Sequence, residues 1–470
     1  MSLFTYINYI FEKFQKIRGT IMNLYELNLS ELSRLIHNNV LSPTKLLDSI
    51  LQRIEKLEPE IRGWVTIDLD KSIYEAEKCT KEAEEYKFRG ILHGIPIGVK
   101  DIFYTANMKT TASSKVLQNF IPNYDAYCIT KLKASGAIIL GKTETAEFAY
   151  SDPAPTKNPW NLEHTPGGSS SGSAAAVSAG MCPASLGSQT GGSTIRPAAY
   201  CGIIGLKPTY DRISRHGMIP LSWSLDHVGF FTRSIEDTSI LFKILTNYDL
   251  YNMTTLNINK INYKHQHKIS NPLNIGYIKG YFYDNAQDDV KNNIDKVIEK
   301  FENSGSKINE LNLPINFNII NDAHNIIMSA EAASYHEKNI IKYLKDYGPK
   351  IRGLILSGFK ITATKYLLAQ RIRSRIIQEI FSSIRDYDLI LTPSTITPAP
   401  KGLQSTGSSI FNKPWSFCGL PAITIPSGFS KKGLPLGIQL IGKQFDDENL
   451  LKLALWCKKV IGVKIRLPFI

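Results

Sequence analysis

Between Thr165 and Ile195 the chain carries no Asp, Glu, Lys or Arg, although charged residues make up 21% of its 470 residues. The charge-free stretch, "TPGGSSSGSAAAVSAGMCPASLGSQTGGSTI", crowds Ser and Gly at both ends around a small apolar run. Such a composition is either a flexible linker or a buried site built from hydroxyls and backbone amides. Other absences narrow the function. The six cysteines (Cys79, Cys128, Cys182, Cys201, Cys418 and Cys457) include no CxxC pair and no disulfide-framework spacing, so a reducing, cytoplasmic setting is expected. The nine histidines make no metal-ligand pattern, and His265 and His267 in "NYKHQHK" read as a solvated loop. No metal and no other cofactor is therefore expected. The apolar start of the chain is interrupted by Glu12 and Lys13, too soon to span a bilayer, and it lacks the basic start and cleavage site of a signal peptide. No transmembrane segment is expected. The net charge is +13, but no run of five like charges and no Arg-rich face accompanies it. The excess reads as a Lys-rich background, and no nucleic-acid partner is expected.

What is present is globular. The chain is 43% hydrophobic and long enough to bury a large core. Residues 1–23 read as an N-terminal extension in which Phe4, Ile7, Tyr9, Ile10, Phe11 and Phe14 could share one face of a surface-docking amphipathic helix. Residues 26–90 read as helices, one opening with Ser42 as N-cap and Pro43 in the first position. Short strands are expected in "ILHGIPIGVKDIF", "GAIILGKT", "CGIIGLKPTY", "DLILTPS", "LPAITIP" and "GLPLGIQLIG". "SAAAVSAGM" reads as a small-residue helix and "ENLLKLALWCKKVIG" as a closing amphipathic one. Residues 250–390, rich in Lys, Asn and Ile, show helices such as "DDVKNNIDKVIEKFENSG" and "ATKYLLAQRIRSRIIQEIFSSI". Interleaved strands and helices argue for an α/β core.

Three stretches match chemical motifs. "GAIILGKT" (136–143) fits the phosphate-loop spacing, but Ala, Ile, Ile and Leu between the glycines want a buried strand, not an open cradle. "GSSSG" (168–172) fits the nucleophile elbow with Ser170 at its centre, but the residues before it, "NPWNLEHTP", cannot form the apolar strand an elbow needs. "GSQTGGSTIRP" (187–197) places consecutive backbone amides beside a hydroxyl, an arrangement able to hold an oxyanion. A serine there needs a base. Lys100 and Ser169 are the polar candidates in two other Gly-containing turns, and a desolvated lysine gives up its proton readily.

Together these stretches resemble the amidase signature family. The resemblance rests on "GGSSSGSAAAVSAGMCPASLGSQTGGSTIRPAAYCGIIGLKPTY" with "LHGIPIGVKDIF", "GAIILGKTETAEFA", "NPWN", "SLDHVGFFTRSIED", "GLPAITIPSG" and "GLPLGIQLIG" around it, and runs from about residue 24 to the C-terminus. It implies an α/β fold with a large mixed β-sheet covered by helices on both faces, an amidase domain over 24–470, and a substrate-shaping segment at about 250–390. It implies a Ser–cis-Ser–Lys triad: Ser193 as nucleophile, Ser169 as the bridging serine in a cis peptide, and Lys100 as base. The amides of Thr190, Gly191, Gly192 and Ser193 would hold the oxyanion, Ser170 would support the network by hydrogen bonding, and Arg196 would cap carbonyls around the nucleophile loop. The expected activity is hydrolysis of a small-molecule carboxamide through an acyl-enzyme, and homodimers occur in the family. The alternative is the glutamine-hydrolysing A-type subunit of a tRNA-dependent amidotransferase. The segment "STITPAPKGLQSTGSSIFNKPWSFCGLPAITIP" favours the stand-alone amidases, because it lacks the Asp- and Tyr-containing segment usual in those subunits, and Gln189 stands where they commonly have Asp. Tyr124–Tyr127, Phe148–Asp152 and the loop around Trp415 are expected near the pocket.

Overall fold

A computed structural model describes residues 23–246, 248–252 and 272–468. The proposed amphipathic helix at the N-terminus and the pair His265 and His267 lie outside the described residues. Eleven strands form one mixed sheet: β1 (Trp64–Ile67), β2 (Pro96–Lys100), β3 (Ile138–Thr143), β4 (Ala184–Gln189), β5 (Ile204–Lys207), β6 (His227–Thr232), β7 (Asn274–Tyr277), β8 (Lys307–Glu310), β9 (Leu389–Pro393), β10 (Ala422–Phe429) and β11 (Pro435–Ile441). Their spatial order is β1-β3-β2-β4-β6-β5-β10-β11-β9-β7-β8. Every residue of β2 to β6, β9 and β11 is buried. Strands covered on both faces need continuous apolar or small side chains rather than alternation, which is why "GAIILGKT" makes a strand in spite of its phosphate-loop spacing.

Local chemistry sets the elements between them. Ser42 Oγ accepts from Lys45 N at 3.3 Å and Pro43 opens the helix Pro43–Ile61, as the cap rule requires. The small-residue helix Ser171–Ser178 is buried along its whole length. Its close approach is set by Gly172, where a Cβ would sit 2.1 Å from the carbonyl oxygen of Gly63.

One expectation needs correction. Residues 26–90 are not all helical, because β1 lies among them and pairs antiparallel with β3 through Trp64, Thr66 and Ile67. The 250–390 segment holds two strands besides the helices read in it. It contributes β7 and β8, which extend the sheet in parallel from β9. These strands are four residues long, too short for a two-residue period to declare itself between long helices.

The strands that matter for chemistry are β2, β3 and β4, which run parallel as neighbours. Their carboxyl ends therefore meet at one edge, the usual place for a site in a parallel region of a sheet. Lys100 ends β2, Lys142 lies one residue before the end of β3, and Gln189 ends β4.

Candidate active site

The charge-free stretch is not a linker. It packs against the end of β2 and surrounds Lys100, whose side chain is completely buried. Lys100 Nζ lies 2.7 Å from Ser169 Oγ and 2.9 Å from Ser188 Oγ. The peptide between Gly168 and Ser169 is cis. Arg196 holds that peptide, since its guanidinium donates to the Gly168 carbonyl at 2.6 Å and also to Gly407 O and Thr406 Oγ1. Its capping thus serves the Ser169 loop, which lies across from its own. Ser170 Oγ donates to Ser188 O at 3.2 Å and accepts from Ser188 N at 3.3 Å, tying the Ser169 loop to β4.

The turn after β4 is held by its carbonyls. His324 Nε2 lies 3.1 Å from Thr190 O. A carbonyl only accepts, so this nitrogen carries the proton. Burial pushes the His324 pKa down to about 3, which keeps the ring neutral. Ser416 Oγ donates to Gly191 O at 3.0 Å, and Arg196 N donates to Gly192 O at 3.0 Å. Gln189 closes the base of the turn: its Oε1 accepts from the amides of Thr194 and Ile195, both at 2.9 Å, and its Nε2 donates to Ser416 Oγ at 3.0 Å. Three successive carbonyls are thus engaged, while among the described residues the amides of Gly191, Gly192 and Ser193 donate to no protein acceptor. Gly192 is dictated by space, because a Cβ would sit 2.5 Å from Asn412 Oδ1. The arrangement can receive a developing oxyanion. Ser193 is 7% exposed beside it. Among the described residues no hydrogen bond joins Ser193 Oγ to Ser169 Oγ, and such catalytic contacts often close only around a substrate.

Burial lowers the Lys100 pKa to about 7, and Asp226 acts in the opposite direction. The charge-free segment explains the first effect. The second comes from a distant loop: Asp226 Oδ1 accepts from Thr190 Oγ1 at 2.5 Å, and its Oδ2 accepts from the amides of Leu221 and Ser222. Burial raises the Asp226 pKa to about 6 against those hydrogen bonds.

The residues expected near the pocket divide. Trp415 and Phe417 are fully buried in the core. Phe148 is buried between His336 and Tyr347, and Tyr124 stacks on His216. Tyr150 and Ser151 line a groove of about 480 Å³ with Asn325, Met328, Ser329 and Lys350. Sequence reasoning missed Ser188, Asp226 and His324. Strand alternation would not have found Ser188: in the β2–β4 register Val99 lies opposite Leu186, so a regular strand would turn Ser188 to the face of Val99 and not to that of Lys100. His324 carries no local signal at all.

The Cys79, Glu82 and His93 side chains form the one group of metal-ligand type among the described residues, but they do not suit a cation. Arg89 takes both Glu82 oxygens, both His93 nitrogens are engaged by backbone groups, and burial holds the Cys79 thiol up at about 11. Among the described residues no helix is long and apolar enough to cross a membrane.

The amidase family model matches residues 45–451. The chain belongs to the amidase family. Its relatives include the A-type subunit of the glutamyl-tRNA(Gln) amidotransferase of Halothermothrix orenii, 34% identical over 95% of this chain and 100% of that protein. Among solved structures, one described as an amidase superposes with a TM-score of 0.82 at 27% identity, covering 92% of this chain and 99% of the other. The corresponding glutamyl-tRNA(Gln) amidotransferase subunit from Thermotoga maritima superposes with a TM-score of 0.74 at 30% identity, covering 92% and 94%. The chain is accordingly an enzyme of amide C–N bond hydrolysis on a mixed α/β fold.

Proposed function

We propose that the chain hydrolyses glutamine as the A-type subunit of a tRNA-dependent amidotransferase. The carrying observation is the full-length likeness to such a protein, 34% identical over 95% of this chain.

The chemistry follows from the arrangement. Neutral Lys100 takes the Ser169 proton while Ser169 takes that of Ser193. Ser193 Oγ forms a bond to the amide carbonyl carbon, and the carbonyl electron pair moves onto oxygen, facing the amides of the Thr190–Ser193 turn. The C–N bond then breaks, the proton returns through Ser169 to the leaving nitrogen, and ammonia departs. Water attacks the acyl-Ser193 ester by the same route, releasing the acid. The support for Lys100 as base is its hydroxyl-only surroundings at 2.7 and 2.9 Å, since a hydroxyl can donate to a neutral amine as well as accept from an ammonium.

A second reading, a stand-alone amidohydrolase, is favoured by the higher TM-score with the solved amidase, 0.82 against 0.74, and by the segment around Trp415 noted in the sequence. Ammonia release from glutamine, measured with the chain alone and with partner subunits and glutamyl-tRNA, separates the two. The amidotransferase reading expects glutaminase activity that rises in the assembly. Rapid turnover of simple amides by the chain alone, with no turnover of glutamine in either setting, favours the second reading. In both, a fluorophosphonate probe should label Ser193, and Ser193→Ala should remove labelling and turnover. Labelling that maps to Ser170 overturns the nucleophile assignment.

A further inference from the structure

Lys413 is a cation that the mechanism above does not use, placed against the turn that the mechanism depends on. A Cβ on Gly191 would lie 3.5 Å from Lys413 Cγ and 3.4 Å from Ser409 Oγ, so the lysine stem passes directly over the oxyanion turn. Its Nζ reaches the side-chain oxygen of Asn325 at 3.2 Å. Asn325 follows His324, which holds Thr190, and Asn325 lines the groove that also contains Tyr150, Ser151 and Lys350. The lysine thus links the Thr190–Ser193 turn, through its stem, to a residue of the groove wall, through its head.

The charge at this point has no direct ion-pair partner among the described residues, and its neutral partner Asn325 cannot offset it. Burial pushes its pKa down and the nearby Arg196 guanidinium pushes the same way, with Asp322 opposing. Lys413 is partly exposed and its contact with Asn325 faces solvent, so an incoming anion can reach the ammonium. The oxyanion forms on the turn itself and is served by backbone amides. When ammonia is the leaving group, every other substrate atom belongs to the acyl part. An anion in reach of Lys413 is therefore carried on the acyl chain.

We infer that Lys413 is the specificity-determining residue of this site and receives a carboxylate on the acyl chain, so that the enzyme selects acidic amides over neutral ones. This rests on the reading of the site as an ammonia-releasing amide hydrolase, and it holds for glutamine and for simpler monoamides of dicarboxylic acids alike. The contact is a charge-assisted hydrogen bond, stronger than one between neutral groups.

Three amides of matched length test it: glutaric acid monoamide, pentanamide and 5-aminopentanamide. The wild-type enzyme is expected to favour the acid over pentanamide by roughly 10- to 100-fold in kcat/KM. Lys413→Gln should bring that ratio close to one, Lys413→Arg should keep most of it, and Lys413→Glu should reverse the order so that 5-aminopentanamide is preferred over the acid. Fluorophosphonate labelling of Ser193 in each variant reports whether the fold and nucleophile are intact. A wild-type ratio near one, or a ratio unchanged in labelled Lys413→Gln and Lys413→Glu, overturns the anchor while leaving the hydrolase reading standing. Absence of Ser193 labelling in the wild type overturns the hydrolase reading, and the anchor with it.

Discussion

Lys100 and Lys142 stand at the ends of neighbouring parallel strands, both fully buried, and burial brings their pKa values down to about 7 and about 8. Their partners differ in kind. Lys100 Nζ meets two hydroxyls. Lys142 Nζ meets the Phe103 carbonyl and the Thr110 hydroxyl, with the Asp101 carboxylate at 3.6 Å. Carbonyls and ionised carboxylates accept an N–H from either form but cannot donate to the lone pair of a neutral amine. Hydroxyls serve either form. Lys207 resembles Lys142: it is buried, with a pKa of about 7, and it donates to the carbonyls of Pro208 and Leu420. Burial alone thus does not mark a base. Lys142 also has a hydroxyl neighbour in Thr110, and what separates it from Lys100 is the Asp101 carboxylate, which favours the ammonium form of Lys142, whereas Lys100 is bonded to hydroxyls alone.

Replacing each lysine by methionine should break this comparison most visibly. Lys100→Met should lower turnover by about 10³-fold or more with a modest change in melting temperature. Lys142→Met should act on stability, because it strands the buried Asp101 carboxylate. The expected cost is about 3–5 kcal/mol by urea unfolding, partly recovered in Lys142→Met/Asp101→Asn. Equal kinetic damage at the two positions, in folded proteins, contradicts the assignment of roles.

The pH dependence of stability sharpens the same point. All three lysines have folded pKa values below the ordinary 10.5. Between about 7 and 10.5 the unfolded chain binds more protons than the folded one, so these groups make stability rise with pH across that window, by at most about 1.4 kcal/mol per pH unit for each lysine. Lys207→Met should flatten the slope by one proton without touching the pH dependence of turnover. A smaller effect is expected from Asp226→Asn. Removing the negative charge that supports protonated Lys100 should move the apparent pKa of turnover below its wild-type value. The smallest belongs to Ser188→Ala, about a tenfold loss of turnover, with Lys100 still bonded to Ser169. An unchanged rate there makes Ser188 a packing residue.

What the sequence made legible, and what it did not, divides along similar lines. The missing charge between Thr165 and Ile195 pointed to the surroundings of Lys100, and the apolar filling of "GAIILGKT" identified β3 against its motif spacing. Both are local properties of one segment. The negative field of Asp226, the grip of His324 on Thr190 and the approach of Lys413 to Gly191 are products of long-range packing between segments far apart in sequence. A histidine inside the helix Phe317–Tyr343 looks like any other until the fold sets that helix against the Thr190–Ser193 turn. Gln189 was read only as a departure from Asp, whereas its side chain secures both ends of the turn.

The central claim is that Lys100 works as a neutral base, and the pH dependence of Ser193 acylation tests it most directly. Burst-phase acylation by an activated amide should rise about tenfold per pH unit below an apparent pKa near 7 and level off above it. Lys100→Arg should show no such rise and no recovery of rate, because a guanidinium keeps its proton throughout this range. A flat wild-type profile, or near-normal acylation in Lys100→Arg, would contradict the account and leave Lys100 as a fixed cation.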